Sequence, residues 1–143
     1  MSTVEQTVAT RNQSAALISE NRQIFIFDNR FKEEVFKNDT EAAVKLQSGQ
    51  LVVRNSVNVS LATSLNLANV IGITAYEGAT EITPNGTKNL NICTKGTIDG
   101  TALALPDGVT LETAVGNKNL SDVLEALGFH VDSSTVENTK IEN

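Results

Sequence analysis

The sequence predicts a mostly β or α+β domain with one short helix near its C-terminus. Apolar stretches rich in Val and Ile recur along the chain, and such stretches favour β-strands. Turn signals containing Gly or Pro separate them, and one stripe at helical spacing follows near residue 120. The 143 residues suit a single domain, which we divide into an extended N-terminal arm (1–20), a β-rich body (21–131) and an exposed C-terminal tail (132–143).

The most β-prone stretch of the predicted body is Gln23–Phe27, which is apolar after its first residue. Both faces of that strand are expected to be covered, by the body or by a neighbouring subunit. Phe31, Val35 and Phe36 follow at spacing i, i+4, i+5. This spacing permits a short helical turn over Phe31–Lys37.

The rest of the body is predicted to alternate strands and turns. Val70–Tyr76 is a predicted strand, in which Gly72 marks a bulge or a close approach of two backbones. Asn85-Gly86 is a strong turn signal before the next predicted strand, Asn89–Ile98. The segment Asn55–Asn69 suits either a half-exposed strand or an ordered loop. The other predicted strands are Ala43–Leu46, Gln50–Arg54 and Phe129–Val131, and a further turn is predicted at Pro106–Gly108.

One helix is predicted, from a stripe at i, i+3, i+4 and i+7 that consists of Leu120, Val123, Leu124 and Leu127. Asn119 can cap its first turn, and Asp122 favours the positive end of the helix dipole. Gly128 can take the left-handed conformation that ends it. A helix of about two turns is unstable alone, so it must dock on the sheet.

The chain carries one cysteine and one histidine, which limits the chemistry it can perform. By strand alternation, Cys93 lies on the more polar face of its strand, two residues before Lys95. A nucleophilic cysteine needs an oriented base, and no motif links it to His130. His130 lies between two apolar residues, so we expect it to be structural or on the surface. No catalytic residue, cofactor site or metal site is predicted, and the protein is not expected to be an enzyme.

The sequence also contains three pairs of neighbouring carboxylates: Glu33 with Glu34, Glu77 with Glu81, and Asp99 with Asp107. Paired carboxylates can act as acid and base or hold a cation. Each pair is explained more simply as a solvated face or a turn. No spacing indicates that two of them converge.

The charge composition makes nucleic acids and membranes poor partners. The formal net charge is −6, and no basic run provides the footprint that binding to phosphates requires. The longest apolar runs are far shorter than the ~20 residues that span a bilayer. We therefore predict neither a nucleic-acid nor a membrane partner.

Residues 1–20 contain neither Gly nor Pro and few apolar side chains. This composition suits a tail, or an extended arm that becomes ordered on a partner. An extended arm can pair with an exposed strand edge through main-chain hydrogen bonds, so its side chains can stay small. The candidate binding residues of the arm are its β-branched ones: Thr3, Val4, Thr7, Val8 and Thr10.

The body also contains an ordered series of short motifs. They are Gly-x-Leu-Val (Gly49–Val52), Val-x-Gly-Ile (Val70–Ile73), Glu77-Gly78, Lys-Gly-Thr-Ile-Asp (Lys95–Asp99), Leu-Pro-x-Gly (Leu105–Gly108) and the Leu-x-x-Val-Leu helix that ends in Gly. In this order they resemble the head decoration proteins of tailed bacteriophages, the lambda-type capsid-stabilising family and its relatives. The resemblance covers about residues 44–131, and residues 21–40 have no counterpart.

The resemblance implies a compact, β-tulip-like fold and a virion structural protein that stabilises the phage head. It implies a homotrimer on the capsid exterior, made in the host cytoplasm, whose N-terminal arm contacts the major capsid protein. The apolar stretch Gln23–Phe27 agrees with a contact between subunits. The alternative is a soluble β-rich binding module of the adhesin or glycan-binding type, without catalytic activity. Glycan sites usually present aromatic platforms, and this chain has one Tyr and no Trp.

Overall fold

A computed structural model of the protein describes residues 24–133. Its strands are β1 (Phe25–Lys37), β2 (Val44–Gln47), β3 (Leu51–Asn55), β4 (Asn58–Leu61), β5 (Val70–Ala75), β6 (Ala79–Ile82), β7 (Thr87–Asp99), β8 (Ala114–Val115), β9 (Lys118–Asn119) and β10 (Phe129–Asp132). The helix α1 spans Leu120–Leu127, and two 3₁₀ turns span Leu67–Asn69 and Gly100–Ala102. The predicted fold class, mostly β with one short C-terminal helix, is confirmed.

Six strands form one sheet in the order β1-β4-β3-β5-β7-β10, and β1 also pairs with β7. The strands β1, β4, β3, β5 and β7 therefore close into a ring. The long strand β7 is antiparallel to β1 and β5 and parallel to β10, so it connects the ring to the C-terminal part of the body. The pairs β2–β6 and β8–β9 form two small separate sheets.

Both faces of this sheet are covered near its middle. The first core consists of Leu51, Val53, Ala62, Leu67, Val70, Ile73, Cys93, Ile98, Val109, Leu120, Val123, Leu124 and Phe129. The second core consists of Phe36, Leu46, Val52, Val59, Ile82, Leu90 and Ile92. Consecutive residues of a strand point to opposite faces, so β3 contributes Leu51 and Val53 to the first core and Val52 to the second. This is why β3 is apolar at three successive positions.

The predicted helix and its caps are confirmed. The Asn119 side chain accepts a hydrogen bond from the backbone N–H of Asp122, and the Asp122 carboxylate accepts one from the Asn119 backbone. Gly128 follows the helix with φ +114°, the left-handed conformation that favours glycine. Leu120, Val123 and Leu124 lie in the first core, so the short helix docks on the sheet as expected.

The two predicted special backbone positions are also confirmed. A Cβ at Gly72 would lie 2.8 Å from the carbonyl oxygen of Cys93, so β5 and β7 can approach only because residue 72 has no side chain. The β3–β5 register shifts at the same place, as it does at a bulge. Asn85 has φ +64° in a turn, although this turn joins β6 to β7, which pair with other strands and not with each other.

The helical turn that the spacing permits over Phe31–Lys37 does not form, because β1 continues to Lys37. Spacing i, i+4 places two residues on one side of a strand as well as of a helix. In the strand, Phe36 points to the opposite face from Phe31 and Val35 and is buried in the second core. Pairing with the thirteen-residue strand β7 determines the outcome, and local spacing does not contain that information.

Candidate protein-binding surface on strand β1

Strand β1 carries a row of exposed apolar side chains, which we call the β1 strip: Ile26, Phe27, Phe31 and Val35. Phe27 is 71% exposed and Phe31 is 49% exposed. The other large apolar side chains exposed in residues 24–133 are single ones on three separate segments: Val57, Leu65 and Leu127. We expected the body or a neighbouring subunit to cover this stretch; the body covers only part of it, and cover by a neighbouring subunit stays a prediction. The described body leaves Ile26 and Phe27 open to a partner.

The backbone of β1 is also open along one edge. Its inner edge pairs with β7 from Phe25 opposite Ile98 to Lys37 opposite Thr87. On its outer edge, Phe36 pairs with Val59 of β4, and no other strand of residues 24–133 pairs there. Unpaired N–H and C=O groups along an apolar strand are a ready template for another polypeptide.

A local irregularity of β1 determines where the strip points. The register between β1 and β7 shifts three times between Phe25 and Phe31, and Asp28 has φ +55°. The irregular segment packs closely on Gly96 of β7, where a Cβ would lie 2.7 Å from the Cα of Asn29. Any other residue at position 96 would push this segment away from β7, and the φ of +124° there also requires glycine.

Two contacts of its side chains hold this segment in place. The Asn29 amide donates a hydrogen bond to the carbonyl oxygen of Thr97, at 3.1 Å. The rings of Phe25 and Phe31 meet edge to face at 5.4 Å, and Phe25 packs against the first core. The strip is thus anchored at Phe25 and presented to solvent at Phe27.

Beyond the strip, a buried carboxylate joins β1 to β3. Arg54 of β3 donates two hydrogen bonds to Glu34, with Nη1–Oε1 at 3.0 Å and Nη2–Oε2 at 2.7 Å. Lys32 lies 3.3 Å from the same carboxylate, whose side chain is only 9% exposed. The hydrogen bonds from Arg54 hold the pKa of Glu34 below its usual value. The interpretation of Glu34 as part of a solvated face is therefore wrong. Glu34 and Arg54 form a structural ion pair that fixes the end of β1.

Cys93 lies in the first core and is 0% exposed, so its predicted placement on a polar face is wrong. Asn91 and Lys95 on the same face are exposed, so the cover over Cys93 does not extend to its neighbours on that face. The Cys93 thiol donates to the carbonyl oxygen of Lys95 at 3.2 Å, and the Asn29 amide lies 3.7 Å from the sulfur. Burial raises the pKa of the thiol, which disfavours the thiolate that a nucleophile needs.

The remaining chemical side chains are dispersed. His130 is exposed on β10. Asp99 is buried and accepts hydrogen bonds from the backbone N–H and the hydroxyl of Thr101, so it caps the 3₁₀ turn and does not belong to a solvated pair. Residues 24–133 contain no group of three or more His, Cys, Asp or Glu side chains that could hold a metal ion. In the same part of the chain, no helix is long and apolar enough to cross a membrane.

The predicted arm residues Thr3, Val4, Thr7, Val8 and Thr10 lie outside the described residues, as does the tail beyond Ser133. The sequence identified the start of the β1 strip as apolar but not as exposed, and it missed Phe31 and Val35 as surface residues. No signal in one sequence separates an apolar strand that is buried from one that awaits a partner. No protein-family model matches the chain, and no curated protein matches it either.

Proposed function

We propose that this protein is a virion structural protein that binds the outer surface of a phage capsid and stabilises the head. The observation that supports the proposal best is the β1 strip, with Phe27 71% exposed on a strand whose outer edge is open. Exposed apolar surface next to unpaired main-chain groups suits a protein partner rather than a small molecule. The resemblance of the motif order to phage head decoration proteins favours the major capsid protein as that partner.

In this proposal the protein is a homotrimer on the capsid exterior, and the β1 strip lies at the contact between copies. The five-stranded ring is then the β-tulip-like body of the decoration proteins. The N-terminal arm, which precedes β1 in the chain, reaches the major capsid protein. This arrangement gives separate tasks to the strip and the arm, so the two can be tested separately.

The buried Cys93 supports a structural protein over an enzyme. Its raised pKa and its place in the first core remove the one strong nucleophile of the chain from solvent. His130 lies on β10, which pairs with Gly96–Asp99 of β7, while Cys93 belongs to the part of β7 that pairs with β5. The hydrogen-bond contacts of the Cys93 sulfur are the Lys95 carbonyl and the Asn29 amide, and His130 is exposed, so the described body does not present the two as a nucleophile and its base.

A soluble binding module remains the second candidate function, because Phe27 and Phe31 are exposed aromatic side chains. Aromatic faces can stack on sugar rings, whereas a capsid partner would use the same side chains as apolar contacts. This alternative would be favoured if the protein bound immobilised oligosaccharides but not heads, and if Phe27→Ser abolished the binding to oligosaccharides.

The arm is tested with the full chain and a variant that lacks residues 2–16, each mixed with expanded phage heads that lack their decoration protein. Ordering an extended arm costs roughly 1–2 kcal/mol per residue in backbone entropy, so we expect it to order only on the capsid. The truncated protein should fold and form trimers but bind heads much more weakly in negative-stain microscopy and sedimentation. Equal binding by both proteins would contradict the role of the arm.

The strip is tested with Phe27→Ser, and Leu65→Ser is the matched control because Leu65 is 94% exposed on a loop. Light scattering should show trimers for the full chain and the control, and a shift to monomers for Phe27→Ser. Two results together would refute the trimer: all three proteins have the mass of a monomer in solution, and the sites they occupy on heads have no threefold symmetry. If they form equal trimers, the strip is not the contact.

A further inference from the structure

A chemically labile pair of residues, Asn85-Gly86, lies in the turn between β6 and β7. In such a pair the backbone nitrogen of the glycine can attack the side-chain carbonyl carbon of the asparagine, because glycine has no side chain to hinder the approach. The new C–N bond closes a succinimide ring, and the side-chain nitrogen leaves as ammonia with the proton of the glycine nitrogen. Water then opens the ring to aspartate or isoaspartate, so the asparagine is deamidated.

The geometry of this turn explains why the labile pair is there. Asn85 has φ +64°, in the left-handed region that asparagine adopts more readily than most residues. A Cβ at position 86 would lie 2.9 Å from the carbonyl oxygen of Thr83 and 3.1 Å from Cγ2 of Ile82, so a side chain there would force the turn apart. Asn85 is exposed, so water reaches its side chain. The turn therefore favours the pair of residues that is most open to this chemistry.

Three backbone hydrogen bonds, which we call the Asn38 clamp, hold the pair in place. The N–H of Asn85 donates to the carbonyl oxygen of Asn38 at 2.8 Å, and the N–H of Asn38 donates to the carbonyl oxygen of Gly86 at 2.9 Å. The N–H of Gly86, whose nitrogen would attack, donates to the carbonyl oxygen of Thr83 at 2.8 Å. The attack requires this N–H to leave its acceptor and the backbone between Asn85 and Gly86 to rotate. The clamp opposes both movements.

The side chain of Asn38 anchors the clamp from inside the body, where this residue is 1% exposed. Its amide donates hydrogen bonds to the carbonyl oxygens of Ala42 at 2.8 Å and Ile82 at 2.9 Å. Its side-chain oxygen accepts hydrogen bonds from the backbone N–H and the hydroxyl of Thr40, at 2.9 Å and 2.7 Å. Moving Asn38 away from the turn would break these contacts of a buried polar side chain, which is costly.

We infer that Asn85 is a deamidation site that the Asn38 clamp keeps closed in the folded protein. The reaction proceeds in molecules whose turn has opened locally, so its rate measures that opening. Isoaspartate adds one methylene group to the backbone, and the lengthened turn no longer fits both of its hydrogen bonds to Asn38. Modification therefore leaves the clamp open. The inference does not depend on the proposed function, because it concerns the chemistry of one turn of the body.

Peptide mapping by mass spectrometry tests the inference on the full chain, incubated at pH 8 in buffer and in guanidinium chloride that unfolds it. Deamidation of Asn85 should be at least about tenfold slower in the folded protein, because opening of an ordered turn costs free energy. Equal rates in the folded and the unfolded chain would overturn the inference.

Two matched variants test the anchor. Thr40→Val removes the hydroxyl bonded to Asn38 and should accelerate deamidation in the folded protein about two- to tenfold, the factor that loss of one hydrogen bond predicts. Thr110→Val is the control, because Thr110 is also exposed and its hydroxyl accepts a hydrogen bond from the Glu112 N–H in a different turn. It should leave the rate unchanged, and both variants should match the wild type when unfolded. Equal rates of the two folded variants would overturn the role of the Asn38 side chain.

Hydrogen exchange of the Asn38 amide gives a readout of the clamp itself, because this N–H donates to Gly86. Exchange should be slow in the wild type and in Asn85→Asp, whose backbone has the ordinary length. It should be fast in the isoaspartyl form, which ion-exchange chromatography separates from the unmodified protein. Slow exchange in the isoaspartyl form would refute the claim that the added methylene group leaves the clamp open.

Discussion

The ion pair between Glu34 and Arg54 gives the sharpest test of how β1 is held. Replacing Arg54 with Met keeps most of the apolar stem but removes both hydrogen bonds to a carboxylate that is 9% exposed. A hydrogen bond to a charged group contributes about 1.5–3 kcal/mol when buried. Arg54 itself is 40% exposed, so water partly replaces it and the sum must be discounted. We expect Arg54→Met to lower the free energy of unfolding by about 2–3 kcal/mol at pH 7.

The dependence of this loss on pH separates the ion pair from simple packing. Because the pKa of Glu34 is lowered in the folded protein, its contribution is present above the unfolded pKa, about 4.3, and is lost as the pH falls through the folded value. Without Arg54, burial disfavours the charged carboxylate, so the variant gains relative stability when Glu34 takes up a proton. The loss caused by Arg54→Met should therefore shrink between pH 7 and pH 3.

Urea denaturation at both pH values measures this, with two further variants. Lys32→Met should lower stability by less than about 0.5 kcal/mol, because the Lys32 side chain is 65% exposed and such pairs contribute little. The double variant Glu34→Gln with Arg54→Met should lose less than the sum of the single variants, since it leaves no buried charge. An equal loss at both pH values, together with additive single effects, would show that Arg54 acts only through the packing of its stem.

Three further stability predictions follow from the C-terminal half of the body. Leu124→Ala should lower the free energy of unfolding by about 2–5 kcal/mol, because Leu124 is fully buried; an unchanged denaturation midpoint would show that the helix is not docked. Asn119→Ala should lower it by about 0.5–2 kcal/mol through loss of the helix cap, as measured in urea, whereas a neutral effect would exclude the cap. Cys93→Ser should lower it by about 1–3 kcal/mol, because a hydroxyl replaces a buried thiol, and the folded wild-type protein should resist thiol reagents at pH 8; rapid labelling would contradict the burial.

Much of the fold was predictable because local signals and the final packing agree. The α1 helix combines an apolar stripe, a cap at Asn119 and a left-handed Gly128, three signals that lie within ten residues of one another. Gly72 was predictable because a glycine inside a β-branched strand has few explanations other than close approach. The order of strand pairing was not predictable. The ring closes through one bridge between Phe36 and Val59, which depends on the position of β4 and not on any pattern within β1.

The errors concern burial, and they share one physical origin. Alternation assigns a residue to a face, but it does not say how far the cover over that face extends. Cys93 and Lys95 share a face of β7, and only Cys93 lies under the first core. Glu34 lies on a strand among other charges, and only the arrival of Arg54 from β3 makes its burial tolerable. Each of these outcomes depends on a second element that is distant in the sequence.

The outcome at β1 differs from these, because the body alone leaves open part of a strand that we expected the body or a neighbouring subunit to cover. A strand with apolar residues on both faces, an open outer edge and Phe27 71% exposed is an aggregation hazard in an isolated molecule. The same strand is shaped with some precision: Gly96 admits its irregular segment, Asn29 fixes that segment to Thr97, and Phe31 is held against Phe25. A surface that is both apolar and well ordered loses little conformational entropy when it is covered. This combination favours a permanent protein contact, such as the contact between copies in the proposed trimer, over occasional contact with a soluble ligand.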